Sequence, residues 1–314
     1  NEKGIKLFTD YEEMINSVDL DGIWFVIPPN QHKNEIISAA EKGIAIFAEK
    51  PQSLYLDEIF PMAEAIEKNN VASICGFQME YDPWYTRVRS YLKGKSISSM
   101  MMINCGAVET HGVKHSIITK DQGPQDRIWT ADRNWSGTSM VEAGIHQTDL
   151  MRYWSNDEIE WVISKYVERP ESLQKSQGNN PISYHDSFGL KKGGIANLTL
   201  TKPAGVFFME RYDYILTTNS MIKFEEDLMV YGIDKDDYDI NLGREHFRNR
   251  NVFKKEEIEK VIAKGPHNDP MGELNTKKIS ECFVKSIVEN KPELRNNSFS
   301  SSINSLSSVL AANV

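Results

Sequence analysis

The sequence has no long apolar run, no excess of basic residues and few cysteines. No stretch approaches the about eighteen hydrophobic residues that a membrane-spanning helix needs. The 36 Lys and Arg are outnumbered by 45 Asp and Glu, and the resulting net charge of −9 disfavours nucleic acid or an anionic membrane as a partner. Cys75, Cys105 and Cys282 are odd in number and lack metal-ligand spacing. We therefore expect no disulfide framework and a reducing cytoplasmic location.

The remaining composition is that of an ordinary globular protein. Hydrophobic residues make up 40% of the chain and charged residues 26%, values typical of folded domains. At 314 residues, the chain is long enough for two compact units. The pattern of strand and helix signals in the sequence changes after about residue 92. We therefore predict two domains, residues 1–92 and residues 93–314.

The first 92 residues alternate strand and helix signals, which is typical of a parallel sheet with crossover helices. Predicted strands cover residues 6–8, 21–27, 44–48 and 71–77. The run at 21–27 is continuously apolar, which predicts a strand buried on both faces. Asp10 and Glu13 predict a capping box, Asn30 is a candidate helix cap and Gly43 a candidate helix stop.

The second part indicates a large, mostly antiparallel sheet, because several strands alternate apolar and polar residues. Its predicted strands cover residues 96–105, 158–167, 183–190, 195–200, 212–218 and 221–224. One strong helix is predicted at 138–154. Two further helices end the chain, and the apolar spacing of the second predicts a packed helix despite its many serines.

A glycine-rich turn is missing from the first part. A dinucleotide-binding half opens with a strand, a G-x-G-x-x-G turn and a helix that holds the pyrophosphate. None of the 19 glycines here are spaced as G-x-G, and the first residue is Asn1. We expect that the chain enters the fold one βαβ unit late and that a segment precedes it in the native protein. The alternative is a protein that does not bind a dinucleotide in the usual way.

Lys50 lies at the carboxyl end of a predicted buried strand, in Glu49-Lys50-Pro51. Ligands of open α/β sheets bind at that edge. An ammonium beside a substrate hydroxyl can stabilise a developing alkoxide. The alternative is a solvated lysine at a strand end.

Glu142, His146 and Asp149 are spaced i, i+4 and i+7, which places them on one face of a continuous α-helix. A histidine with a pKa near neutrality is suited to remove a hydroxyl proton, and a neighbouring carboxylate can orient it. Gly144 inside the helix indicates that backbone, cofactor or substrate comes close.

Each of these residues also has a structural explanation. Ser139 and Glu142 fit a capping box. His146 can be a core histidine, and Asp149 can pair with Arg152. The three residues could also ligate a metal, but no partner cluster lies nearby, so we expect no metal.

Four segments occur in a characteristic order: DGIWFVIPPNQH at 21–32, EKP at 49–51, CGFQ at 75–78 and WSGTSMVEAGIHQTD at 135–149. This series resembles the glucose–fructose oxidoreductase, inositol dehydrogenase and rhizopine-catabolism (Gfo/Idh/MocA) family. The resemblance extends over nearly the whole chain. It implies a Rossmann-type parallel sheet followed by an α+β domain, NAD or NADP as cofactor, a sugar or polyol as substrate, and assembly as a homodimer or homotetramer through the large sheet.

The resemblance also implies roles for individual residues. Lys50 would lie near the reacting carbon, His146 would be the general base or acid, and Glu142 would stand where relatives commonly carry a substrate-binding Asp. The implied lining of the cofactor cleft comprises Ile27, Pro28, Pro29, Asn30, His32, Glu49, Lys50 and Gln78. Candidate substrate contacts are Arg127, Arg133, Trp135 and Asp149.

The sequence departs from the family pattern in three places: the glycine-rich turn is absent, Glu142 is longer than the usual Asp, and Glu80 stands where relatives often have a basic residue. The leading hypothesis is an NAD(P)-dependent dehydrogenase that oxidises a secondary hydroxyl of a sugar, sugar derivative or cyclitol. Two alternatives stay open. One is an NAD-dependent glycosidase of the same fold, and the other is a non-catalytic sugar-binding or regulatory protein.

Overall fold

The computed structural model describes residues 5–106, 117–119, 123–125, 130, 132–202, 209–224, 228–232 and 270–313. The first sheet has three parallel strands in the order β1 (Gly22–Phe25), β2 (Ala45–Ala48) and β3 (Ser73–Cys75). The helices of this part are α1 (Tyr11–Ser17), α2 (Glu35–Glu41) and α3 (Leu56–Lys68). All four residues of β2 are buried, because strands flank it on both sides. The predicted parallel sheet is confirmed.

Local signals at helix ends are confirmed at two positions. The backbone N–H of Glu13 donates to the Asp10 carboxylate at 2.8 Å and caps α1. After α2 the chain reverses at Gly43, whose φ of 73° lies in the left-handed region that glycine adopts without strain.

Three predictions for this part are wrong. Residues 6–8 form no strand. Strand β1 is not buried on both faces, since Trp24 is 39% exposed, and β1 has only one strand neighbour among the described residues. Asn30 lies in a short 3₁₀ turn, Pro29–Gln31, and α2 begins only after Asn34, whose side chain does not cap it.

The second sheet has seven strands in the order β12-β11-β10-β4-β9-β8-β7. Only β4 and β9 pair in parallel, so the predicted mostly antiparallel sheet is confirmed. The strands are β4 (Ile97–Gly106), β7 (Ile159–Val167), β8 (Ser183–Leu190), β9 (Ile195–Thr201), β10 (Met209–Thr217), β11 (Ser220–Phe224) and β12 (Leu228–Gly232). A separate hairpin pairs β5 (Ile117–Thr119) with β6 (Gly123–Gln125).

The predicted helix at 138–154 is not one continuous α-helix. Residues Met140–Gly144 form a π-helical segment, and α6 (Ile145–Ser155) continues from it. A short helix, α5 (Arg133–Ser136), precedes this pair. Nearby helices are α4 (Pro83–Leu92) and α7 (Glu171–Gln177).

The two carboxy-terminal helices, α8 (Pro270–Val288) and α9 (Ile303–Ala311), pack on different parts of the molecule. Phe283 of α8 makes edge-to-face contacts with Trp24 and Phe47 of the first sheet. Helix α9 packs on α6 and β7, as predicted for its serine-rich sequence. The domain boundary at residue 92 stays a prediction. Helix α8 follows the second sheet in the chain but packs against the first sheet. Within the described ranges, no helix has the length and hydrophobicity of a membrane span.

Candidate functional site

The carboxyl ends of the three parallel strands meet at one edge of the first sheet. Ile27 and the following prolines come after β1, Lys50 after β2, and Gln78 after β3. The segment Met140–Gly144 faces this edge, because the side chain of Lys50 reaches it. The site therefore lies between the two sheets, as the position of Lys50 predicts.

Lys50 and Glu142 form a buried ion pair across 92 residues of sequence. Lys50 Nζ donates to the backbone carbonyl of Glu142 at 2.7 Å and to Oε1 of its carboxylate at 3.1 Å. The side chains are only 13% and 7% exposed. Breaking such a pair by removing one partner costs about 3–5 kcal/mol, because it leaves a buried charge uncompensated. A solvated lysine and a glutamate that only caps a helix are therefore both inconsistent with the structure.

The π-helical segment changes how the three acidic and basic side chains of this region are presented. A π-turn is wider than an α-turn, so Glu142, His146 and Asp149 do not share one face as a continuous α-helix would require. Glu142 faces Lys50, His146 packs against Phe77, and Asp149 contacts the Ser305 hydroxyl. Single π-turns occur frequently at functional sites.

His146 is a partly buried, uncharged imidazole. Its ring meets Phe77 edge to face, with centroids 6.2 Å apart. Burial and then the positive charge of Lys50 lower the pKa of His146 to about 3, against the opposing effect of Glu142. The near-neutral pKa expected from the sequence is therefore wrong. Nδ1 of His146 has no hydrogen-bond partner among the described residues, so the expected orienting carboxylate is not found there.

Gly144 accommodates a neighbouring side chain. A Cβ at this position would lie 2.5 Å from the sulfur of Met140, which is fully buried. The close approach predicted from the glycine is thus made by Met140 within the same segment.

The candidate substrate contacts have different surroundings. Asp149 is 2% exposed and accepts from Ser305 at 3.3 Å, and Arg152 lies 4.0 Å away, as the i+3 spacing predicts. This burial between helices argues against direct contact between Asp149 and a substrate. Arg133 is held by the backbone of Asn179 and by an ion pair with Glu168. Trp135 is half-buried on α5, which lies against the Pro29–Gln31 turn, and Arg127 lies outside the described residues.

The cofactor-cleft candidates present a mixed polar and apolar lining. Ile27 is 40% exposed, and Oδ1 of Asn30 is buried without a hydrogen-bond partner among the described residues, which leaves an acceptor available. His32 is buried and bonds Glu35 at 2.5 Å at the start of α2. These residues fit the nicotinamide end of a dinucleotide, whereas the glycine-rich phosphate cradle is absent from this sequence.

Sequence reasoning missed three residues that shape the site. Gly76 lets the Glu49 carboxylate lie over the backbone, because a Cβ there would be 2.6 Å from Oε2 of Glu49. Phe77 contacts His146, and the charge of Arg211 also lowers the pKa of His146. A glycine directly after a buried strand is a local signal for the first, but no local signal points to the other two. No group of three metal-ligating side chains occurs in the part of the chain that the structure describes.

Comparison with known proteins supports the resemblance found in the sequence. Residues 1–77 match the model of an oxidoreductase family with an NAD-binding Rossmann fold, GFO_IDH_MocA. The chain is 26% identical over 209 residues to scyllo-inositol 2-dehydrogenase (NAD(+)) of Bacillus subtilis (strain 168), over 65% of this chain and 56% of that protein. The first part of the chain is thus similar to the Gfo/Idh/MocA oxidoreductases.

Solved structures share the fold of this protein over nearly the whole chain. The WlbA dehydrogenase from Bordetella pertussis in complex with NADH and UDP-GlcNAcA has a TM-score of 0.71 at 14% identity, covering 98% of this chain and 82% of that one. Levoglucosan dehydrogenase in complex with NADH and levoglucosan has a TM-score of 0.69 at 18% identity, covering 97% and 81%. The chain spans about half the length of the curated relatives that it matches. The predicted fold is confirmed, and the resemblance to the Gfo/Idh/MocA family is confirmed over residues 1–77.

Proposed function

We propose that this protein is an NAD- or NADP-dependent dehydrogenase that oxidises a secondary hydroxyl group of a sugar, sugar derivative or cyclitol. The observation that supports this most is the buried Lys50–Glu142 ion pair, with an uncharged His146 beginning the next turn of helix. Similar proteins named scyllo-inositol 2-dehydrogenase and levoglucosan dehydrogenase act on such ring alcohols, which supports the substrate class.

The proposed roles follow from charge and protonation state. His146 is unprotonated at neutral pH and can accept the hydroxyl proton on a ring nitrogen. Lys50 would donate a hydrogen bond to the same oxygen, which lowers the pKa of the hydroxyl while it lowers that of His146. Glu142 holds the Lys50 ammonium in place.

The nicotinamide ring, when bound, supplies the hydride acceptor for the carbon that becomes a carbonyl. Residues of this chain would hold that end of the cofactor and exclude water around it. They are Ile27, Pro28, Pro29, Asn30, His32, Glu49, Lys50 and Gln78.

The first test is cofactor binding by the native protein, with NADH and NADPH titrated separately and nicotinamide fluorescence followed. We expect saturable binding of one of them and then reduction of its oxidised form with an inositol or a sugar. Absence of binding by both would contradict the proposal and favour a non-catalytic sugar-binding protein. A tightly held cofactor with turnover but no net reduction would favour the glycosidase alternative instead.

Replacement of His146 by Ala tests the proposed base. We expect kcat to fall by about 10²-fold or more, because the imidazole that would accept the hydroxyl proton is removed. His185→Ala is the matched control, since His185 lies exposed on β8 of the large sheet. Equal rates for H146A and the wild type would remove His146 from the mechanism.

A further inference from the structure

Two buried carboxyl groups are in contact beneath α6. Glu80 is 6% exposed and Asp149 is 2% exposed, and their side chains lie at hydrogen-bonding distance. Oε2 of Glu80 and Oδ2 of Asp149 have no donor among the described residues. Two ionised carboxylates are both acceptors and repel each other, so this contact is a hydrogen bond only while one of them carries a proton.

The nearby arginines are engaged elsewhere. The Arg152 guanidinium donates to both carboxylate oxygens of Glu158, at 2.8 and 2.9 Å, and approaches Asp149 only to 4.0 Å. Arg89 donates to Asn156 at 3.3 Å. Both arginines favour ionisation of the pair through their charge. Among the described contacts, neither arginine donates a hydrogen bond to Glu80 or Asp149, so neither can take the place of the shared proton.

Three further charged side chains, those of Asp157, Glu158 and Lys192, line the same cavity as Glu80. The Ser305 hydroxyl of α9 donates to Oδ1 of Asp149 at 3.3 Å. The remaining acidic groups near the pair are the side chains of Cys75, Tyr81 and Tyr153. Burial is the largest cause that raises the pKa of each, so all three stay protonated at neutral pH.

Burial dominates the protonation of the pair itself. It raises the pKa of Asp149 to about 7 and that of Glu80 well above its usual value, in spite of the two arginines. Because the two carboxyls interact, they titrate as a unit, and burial favours the form in which they share a proton. An open cavity of about 420 Å³, which Glu80 helps to line, provides a route for proton exchange with solvent.

The position of the pair links it to His146. Glu80 belongs to the Gln78–Tyr81 turn, which directly follows Phe77, the ring in contact with His146. Asp149 lies three residues after His146 on α6. The carboxyl pair therefore joins the turn to the helix about one helical turn from the contact between Phe77 and His146.

We propose that Glu80 is a positioning residue that shares one proton with Asp149, clamps the Gln78–Tyr81 turn to α6 and so holds Phe77 against His146. Loss of the proton replaces a hydrogen bond by repulsion, so the clamp opens as pH rises. The sign follows from linkage: these carboxyls bind protons more tightly in the folded state, so their contribution to stability is lost as pH rises through their folded pKa values. The consequence for catalysis rests on the proposed dehydrogenase function, whereas the clamp itself does not.

The experiment compares the wild type with Glu80→Gln between pH 6.5 and 9, without cofactor or substrate. A glutamine amide can donate to the Asp149 carboxylate and needs no shared proton. In the wild type we expect hydrogen-exchange protection of residues 76–82 to fall by about tenfold for each pH unit above the titration of the pair. In E80Q we expect protection to stay constant after correction for intrinsic exchange.

The NMR signals of the His146 ring report whether the clamp positions that residue. His146 itself does not titrate in this range, since its pKa lies at about 3. Movement of Phe77 would shift its signals through the ring current in the wild type but not in E80Q. Asp186→Asn is the control, because Asp186 is another buried carboxyl with a raised pKa, on β8, and should leave both readouts as in the wild type.

An unchanged pH response in E80Q, or a flat response in the wild type, would overturn the clamp. Changes in exchange without any shift of the His146 signals would overturn the positioning role. If the protein also oxidises a polyol, E80Q should extend the alkaline limb of kcat with little change in KM. If the exchange and NMR results are as expected but no activity is found, the proposed function fails and the clamp stands.

Discussion

At the scale of single residues, the electrostatics of the site depend on the charge of Lys50. The ammonium pairs with Glu142 at 3.1 Å and is mostly withdrawn from water. Because little solvent lies around it to screen its charge, that charge still acts on His146. The same charge would stabilise an alkoxide bound beside it. After burial, the charge of Lys50 is thus the next cause that keeps His146 unprotonated, and the same charge would raise the acidity of the proposed substrate.

Lys50→Met should raise the pKa of His146 from about 3. The methionine keeps much of the apolar stem but removes the charge that disfavours the imidazolium, and Glu142 then acts on the ring unopposed by Lys50. The measurement is an NMR titration of the His146 ring protons. Lys165→Met, at an exposed position on β7, should leave the titration unchanged. A His146 pKa that is the same in K50M and the wild type would show that burial alone sets it.

At the scale of elements, the π-helical segment Met140–Gly144 depends on tight packing within itself. The Gly144 backbone lies against Met140, which is fully buried and has no open space to move into. An alanine in a helix is favoured over glycine by about 1 kcal/mol, whereas overpacking of a core costs about 1–3 kcal/mol. The steric effect should therefore win here.

Gly144→Ala should lower the free energy of unfolding by up to about 2 kcal/mol, the balance of these two effects. In a Met140→Ala background, where the clash is gone, the same substitution should be stabilising. Chemical denaturation of the four proteins gives both values. A stabilising effect of G144A in the wild-type background would mean that Met140 adapts freely.

At the scale of the whole molecule, the large sheet has one face covered by helices and one open face. Along β4, Met100 and Met102 are buried while Met101 and Ile103 are 41% and 39% exposed. The open face also carries Ile163 of β7, which is 65% exposed, and Ile195 of β9. Exposed apolar side chains on several strands of one sheet face are typical of an interface. It supports the proposed assembly of this chain into a homodimer or homotetramer.

Ile163→Glu should therefore shift the protein towards the monomer, because an interface would have to bury the new carboxylate. Sedimentation velocity of the native protein at several concentrations measures this directly. Phe60→Glu is the control, since Phe60 is a similarly exposed apolar residue on α3, away from the large sheet. Identical sedimentation of the two variants would argue against assembly through this face.

The amino-acid sequence by itself determined the features that arise from local rules. The order of strands and helices follows from periodicity, the start of α1 from Asp10 and the end of α2 from Gly43. Lys50 could be assigned to the ligand-binding edge, because the carboxyl end of a buried parallel strand is a position that the sequence specifies. The ordered series of motifs was enough to give the resemblance to the Gfo/Idh/MocA family.

Only the tertiary structure decided the features that depend on contacts distant in sequence. The partner of Lys50 is 92 residues away, Glu80 meets Asp149 across two elements, and α8 returns to the first sheet. The π-helical segment has no local signal, since helical periodicity at 138–154 is equally satisfied by a continuous α-helix. The pKa values of His146 and Asp149 depend on the removal of water, which no local pattern records.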